Sequence, residues 1–241
     1  MKNVNLVSPQ QSARDVISKP VASRYNEILK IAESIGDLLR NVEGTPVKSK
    51  PTRKDLEAVF LSFSEAQQEN LYQATLDYYR TCLAVITSKG SLRNNPGSVA
   101  RHLARHRVRI DGNVFATLSQ HQCVEIYDFQ FVQTFRSPNF FNFVDHSIAD
   151  FAILPYWEIF SRSAAVNDRI LRNAQDILNG IHRGPMWNFV EDNIVKEKSS
   201  AKITKLHTIV CAPIYLEDSP EVVGLIHVFD IALQNEIQAV H

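Results

Sequence analysis

The sequence predicts an α+β protein: a helical N-terminal region, then a five-stranded antiparallel sheet with helices on one face. Three observations carry that prediction. Apolar residues recur at spacings of three and four through the first ~90 residues, as on one side of a helix. Two later stretches, 124–136 and 203–231, are rich in β-branched and aromatic residues. Between them the helical period returns, so the order is two strands, several helices, then three strands.

Residues 1–20 are polar, hold two prolines and show no sustained period, so they read as a loose arm. From Val21 the apolar positions Tyr25, Ile28, Ala32, Ile35 and Leu39 trace an a/d seam. That seam fits two arrangements, a dimerisation helix or a helix packed on its own domain. Glu43 to Pro51 is a linker by its Gly, Pro and Lys content. Thr52 with Asp55 resembles a capping box ahead of Leu56, Val59, Phe60 and Phe63, and Ser64 with Gln67 suggests a second cap. A long amphipathic helix then carries Leu71, Leu76, Tyr79, Leu83 and Ile86 and stops at Lys89-Gly90. Ser91 to Ser98 is a break, so the helical region spans 21–98.

Beyond it, Val124 to Arg136 reads as two strands joined tightly near Asp128. Aromatic-rich short helices follow from Phe140 to Phe160, and a better helix from Val166 to Leu178 stops at Gly180. Met186 to Val190 reads as the third strand, Lys196 to Ser200 as a charged turn, Ile203 to Leu216 as a long strand, Glu217 to Pro220 as a hairpin turn, and Val222 to Ile231 as the last strand. Ala232 to His241 carry Leu233 and Ile237 as a helical stub.

Composition narrows the function classes. Among 241 residues, 44% are apolar and 22% charged, which is ordinary for a folded protein. Lys plus Arg and Asp plus Glu number 26 each, so no whole-chain field draws the protein to nucleic acid or an anionic membrane. Cys82, Cys123 and Cys211 lie far apart and form no C-x-x-C pair, arguing against a disulfide framework. There is no apolar leader after Met1 and no uncharged run near the ~20 residues of a membrane helix, so a cytoplasmic protein is expected.

The stretch Ala212-Pro213-Ile214-Tyr215-Leu216-Glu217-Asp218-Ser219-Pro220-Glu221-Val222-Val223-Gly224-Leu225-Ile226-His227-Val228-Phe229-Asp230-Ile231 resembles the C-terminal half of PAS domains. These often show a strand with a proline, an acidic hairpin, a Val-Val-Gly strand and an Asp-Ile-Thr ending. Here Ala232 stands where the Thr would be. The resemblance covers about residues 112–236, within a PAS-like region of 99–241. GAF domains share the final hairpin, but helices between the second and third strands favour PAS. The resemblance implies a curved sheet whose flanking helices often enclose a small-molecule cavity. Only ten residues follow the last strand, so output is expected through the N-terminal helices or a protein partner.

Candidate pocket residues are Phe143, His146, Trp157, Trp187, Cys211 and His227, the aromatic and polar groups nearest such a cavity. Clustered aromatics are more often core, and His227, alternating with Leu225 and Phe229, reads first as a core histidine. Arg101, Arg105 and Arg109 would stack along a helix and could contact an anion or phosphates, although a solvated face is the commoner meaning of such a run. His102 and His106 with His121 and Cys123 could complete a zinc set, but the flanking arginines disfavour a cation there. Haem would use His182, which falls beyond the helix stop. Haem and metal stay open as cofactors and neither is assigned. No nucleophile elbow, P-loop, dinucleotide fingerprint or zinc-hydrolase motif is present.

The expected function is therefore non-catalytic: a homodimeric regulatory protein with a PAS-like domain, acting as a sensor or an adaptor through protein contacts, with a small molecule as its optional ligand. The rivals are a nucleic-acid-binding regulator using 101–109 and a small-molecule enzyme on the α+β scaffold.

Overall fold

A computed structural model describes residues 21–188, 193–200 and 202–233. N-terminal helices precede one curled antiparallel sheet, as the patterns predict. Helix α1 (Val21–Asn41) buries its seam: Tyr25, Ile28, Ala32, Ile35 and Leu39 all face the core, packed on α3 (Glu65–Thr87) and α6 (Ile148–Ile153). The seam is filled by the chain's own core, the second of the two arrangements that the spacing allowed.

Helix α2 (Leu56–Ser62) lacks its expected capping box. Asp55 makes no side-chain cap bond, because Arg53 holds its carboxylate, and Thr52 is turned to a different partner. The box at Ser64 and Gln67 does form and starts α3. That helix stops where Lys89 adopts a left-handed φ of 58° before Gly90. Helix α4 (Asn95–His106) ends at Arg107, also left-handed. Strand β1 (Val108–Arg109) and helix α5 (Gly112–Thr117) lead into the sheet proper.

Strands β2 (Cys123–Asp128) and β3 (Gln133–Arg136) form the expected first hairpin. After a 3-10 turn (Pro138–Asn142) and α6 come α7 (Tyr156–Ile159), β4 (Phe160–Ser161) and α8 (Ala164–Leu178), with Gly180 at φ 70° as its stop. Strands β5 (Met186–Trp187), β6 (Asn193–Glu197), β7 (Ile203–Leu216) and β8 (Val222–Leu233) complete the sheet. The order is β3-β2-β8-β7-β6-β4, with β1 and β5 also paired to β7. The two stretches read as strands in the sequence thus join through β2 and β8 in one sheet.

Three details differ from expectation. The third strand is chiefly β6, which includes part of the expected charged turn, while the 186–190 strand is two residues long and its remainder lies outside the described residues. Ala232 and Leu233 extend β8 rather than begin a helix, and the rest of that stub, like the N-terminal arm, lies outside the described residues. Helices cover both faces once the N-terminal region is included. The face carrying Glu125, Tyr127, Cys211, Leu225 and His227 lies under α8, where Ala174 and Ile177 pack on Cys211 and Leu225. The opposite face, with Ile126 and its cross-strand partner Phe135, lies under α3 and α4: the Phe135 ring centre is 5.7 Å from Tyr78 and 5.5 Å from His102. The larger hydrophobic cluster runs from Tyr25 to Phe229, and a smaller one of Ala174, Ile177, Cys211 and Leu225 lies under α8.

Gly224 is required where β8 meets β2. A Cβ there would collide with the Tyr127 carbonyl, which is backbone and has nowhere to move within the ladder. Gly224→Ala is expected to cost about 1–3 kcal/mol, the usual range for overpacking. Urea unfolding checks this, and an unchanged midpoint would show that the strands separate freely.

Candidate functional site

The sheet face under α8 encloses a cavity of about 60 Å³. Its walls are mostly apolar, from Ile170, Leu171 and Ala174 on α8 to Leu206, Leu225 and Phe229 on the strands, closed by Tyr127, Phe131, Tyr156 and Trp157. Glu125, Asn193, Thr208 and His227 supply polar side chains from the strands, and Arg162 and Asn167 add two from the α8 side. The four strand residues project from one side of the sheet, since alternate residues of a strand share a face.

Glu125 belongs to a buried array. Its Oε1 lies 2.6 Å from Arg136 Nη2, in ionic contact without hydrogen-bond alignment, and both side chains are almost wholly buried. Tyr127 donates its hydroxyl to Glu125 Oε2 at 3.0 Å, and His227 Nδ1 lies 3.5 Å from the same oxygen. His227 Nε2 is 3.2 Å from the Thr208 hydroxyl. Burial by itself would raise the Glu125 pKa. The Arg136 charge, followed by His227 and the Tyr127 hydrogen bond, overcomes it and holds the carboxyl at about 2. Arg136 donates Nε to Gln133 at 2.8 Å, and its guanidinium carbon sits 4.0 Å over the Phe140 ring and 3.9 Å over Phe151. Two π faces thus stabilise a cation whose Nη1 has no hydrogen-bond partner.

A second cavity of about 330 Å³ adjoins the first. Leu71, Gln67 and Asn70 of α3, the β2–β3 hairpin and residues 151–157 line it, and Arg136 and Gln133 stand in its wall. Tyr127, Phe131, Tyr156 and Trp157 line both cavities.

Of the residues singled out in the sequence, Trp157, Cys211 and His227 meet in the inner cavity. Burial pushes the Cys211 thiol up to about 12, so it acts as an apolar wall rather than a nucleophile. Phe143, His146 and Trp187 line neither cavity. Phe143 is half-buried after the 3-10 turn, and Trp187 is exposed on β5. His146 is buried, with Nδ1 3.0 Å from the Thr52 hydroxyl and Nε2 2.9 Å from that of Ser199. Asp150 Oδ2 lies 3.7 Å from Nδ1 and accepts instead from the Thr52 and Ser147 backbone amides. Ser199, His146 and Asp150 therefore do not make a hydrolytic relay: the carboxylate is committed to holding two segments by accepting from the Thr52 and Ser147 amides. The histidine ties the 50s loop to the β6–β7 hairpin.

The basic run does not form a stripe. Arg101 and Arg105 are exposed on α4, and Arg105 reaches Asp77 at 3.4 Å. Arg109 lies past the helix end, on β1, where it donates to the Glu217 and Ser219 carbonyls and covers the Tyr215 ring. His102 is buried between Thr81 and Thr134, and burial with the neighbouring His106 and Arg105 pushes its pKa down to about 3. Among the described residues no group of three or more His, Cys, Asp or Glu is placed to hold a metal ion, and no helix is long and apolar enough to cross a membrane.

Sequence reasoning missed Glu125, Arg136, Thr208 and Asn193. The signal for Glu125 was present: a carboxylate in the β-branched run Val124-Glu125-Ile126, with Arg136 at the end of the next strand. No protein-family model matches the chain, and no curated protein or solved structure matches it significantly.

Proposed function

We propose that the chain is a PAS-like regulatory protein that senses a small molecule in the cavity between its sheet and α8, and passes the event on through helix packing and protein contacts. The carrying observation is that cavity itself: an apolar chamber with a few convergent polar side chains, built on a preorganised Glu125–Arg136 pair. Support also comes from the single sheet that joins residues 123–136 to 193–233, with the intervening helices α6–α8 between the two stretches. Binding there acts on α8 directly and on α3 through the Tyr78 hydroxyl, which donates to the Arg136 carbonyl at 2.6 Å.

The test fills the chamber. Ala174 is buried on α8 in the cavity wall, so Ala174→Phe places a ring where a ligand would sit. With N-phenyl-1-naphthylamine as a neutral fluorescent probe, the unaltered chain is expected to enhance its emission, and Ala174→Phe to weaken binding at least tenfold. Equal affinity in a folded variant removes this cavity as the site. Native mass spectrometry of untagged protein adds the mass of any retained molecule.

A further inference from the structure

The inner cavity, about 60 Å³, holds only a few waters, whereas ligand sites usually run to ~300–1,000 Å³. The outer cavity, about 330 Å³, reaches that range, and the partition between them is one aromatic wall. Within that wall Phe131 is the strained member. Its φ is 64°, a left-handed conformation that bulky residues rarely adopt. The turn holds it there: Asp128 Oδ1 accepts from the Gln130 and Val132 amides at 2.9 and 2.8 Å, and the Asp128 carbonyl accepts from the Phe131 amide at 3.0 Å. The ring is stacked on Tyr127, with centroids 4.9 Å apart and planes 13° from parallel. A hairpin held in an unfavourable conformation to press one ring into a shared wall is the geometry of a gate.

The linings set the ligand's chemistry. The inner end is mostly apolar: its buried carboxylate, Glu125, and Arg136 neutralise each other, while Arg162 is half-buried with its guanidinium laid over the Tyr156 ring. Among the described residues no acidic side chain lines the outer cavity, whose polar groups are the carboxamides of Gln67, Asn70, Gln130 and Gln133 and the Arg136 guanidinium already paired with Glu125. Such a pair of chambers fits an elongated, uncharged molecule with an apolar inner end and a polar, hydrogen-bonding outer end. Resting on the proposed sensing role, we infer that the two cavities are one binding site for an elongated neutral amphiphile, and that Phe131 gates the passage between them. Occupying the outer chamber brings the ligand against Leu71 and so against α3, which gives the N-terminal helices a direct contact with the signal.

The experiment uses the full chain and two dyes of similar size: neutral N-phenyl-1-naphthylamine and anionic 1-anilinonaphthalene-8-sulfonate. The neutral dye is expected to bind at least tenfold tighter. Filling the outer chamber by Leu71→Trp, or independently by Ala152→Phe, is expected to weaken it at least tenfold, as does Ala174→Phe at the inner end. Removing the ring by Phe131→Ala or Phe131→Gly is expected to raise its association rate at least tenfold in stopped-flow. Weakening by Ala174→Phe alone, with the outer substitutions silent in folded protein, overturns the single elongated site and leaves the sensing role standing. Loss of effect at Ala174 overturns both. Equal affinity for the two dyes overturns the neutral class, and unchanged association rates in both Phe131 variants overturn the gate.

Discussion

Arg136→Met is expected to destabilise the protein by about 3–5 kcal/mol, because it leaves the Glu125 carboxylate buried without its counter-charge. Glu125→Met in the same chain should restore much of the loss, since two apolar side chains need no desolvated partner. Urea unfolding of the single and double variants measures both, and a double variant no more stable than Arg136→Met would contradict this account. The pair also fixes a pH response. The Glu125 carboxyl is at about 2 in the folded protein against an ordinary 4.5. A depressed folded pKa contributes stability that is fully present above about 4.5 and lost as pH falls toward 2. In Arg136→Met the sign reverses. Burial with the cation gone raises the carboxyl, so acidification through the mid-acid range should stabilise that variant. Unfolding midpoints between pH 3 and 7 should therefore slope in opposite directions for the two chains.

What could be read in advance follows from where apolar pattern and burial coincide. Strands β7 and β8 and helices α1 and α8 announce themselves because their buried residues are mostly apolar. Helix α3 keeps the period but turns a different face inward: Tyr78, Cys82 and Val85 are buried with Thr75 and Thr81, while Leu71, Leu76, Tyr79, Leu83 and Ile86 are half-buried. Strand β6 did not, and its burial shows why: Asn193, Val195 and Glu197 face inward while Ile194 is 53% exposed. Two of its three core-facing residues are polar, so the period of two points the wrong way. Glu197 tolerates this by accepting from the Asp145 amide and the Ser200 hydroxyl, both contributed by folding. The same logic hid the site. Trp157, Cys211 and His227 were visible as aromatic or polarisable groups near the strands, but Glu125 and Arg136 become a unit only when β2 and β3 set them side by side. Arg109 misled for the converse reason. Its spacing from Arg105 is helical, yet Arg107 ends the helix in a left-handed turn that the sequence does not mark with glycine.

Ile35→Ala should cost about 2–5 kcal/mol, with a stability that does not vary with protein concentration. Ile35 is wholly buried on α1, between Ile28 and Leu39 in the same state, and α1 lies on α3 and α6 of its own chain. Removing three carbons there opens a cavity within the chain's own core. Were α1 a pairing helix, the loss would appear in association, and the unfolding midpoint would rise with concentration by mass action. Denaturation at two concentrations a hundredfold apart separates these cases, and a midpoint that shifts between them would return α1 to a role between chains. The distinction bears on signalling. A helix packed against α3 and α6 touches the elements that line the outer cavity, so a change in that packing can carry a binding event outward without a second chain.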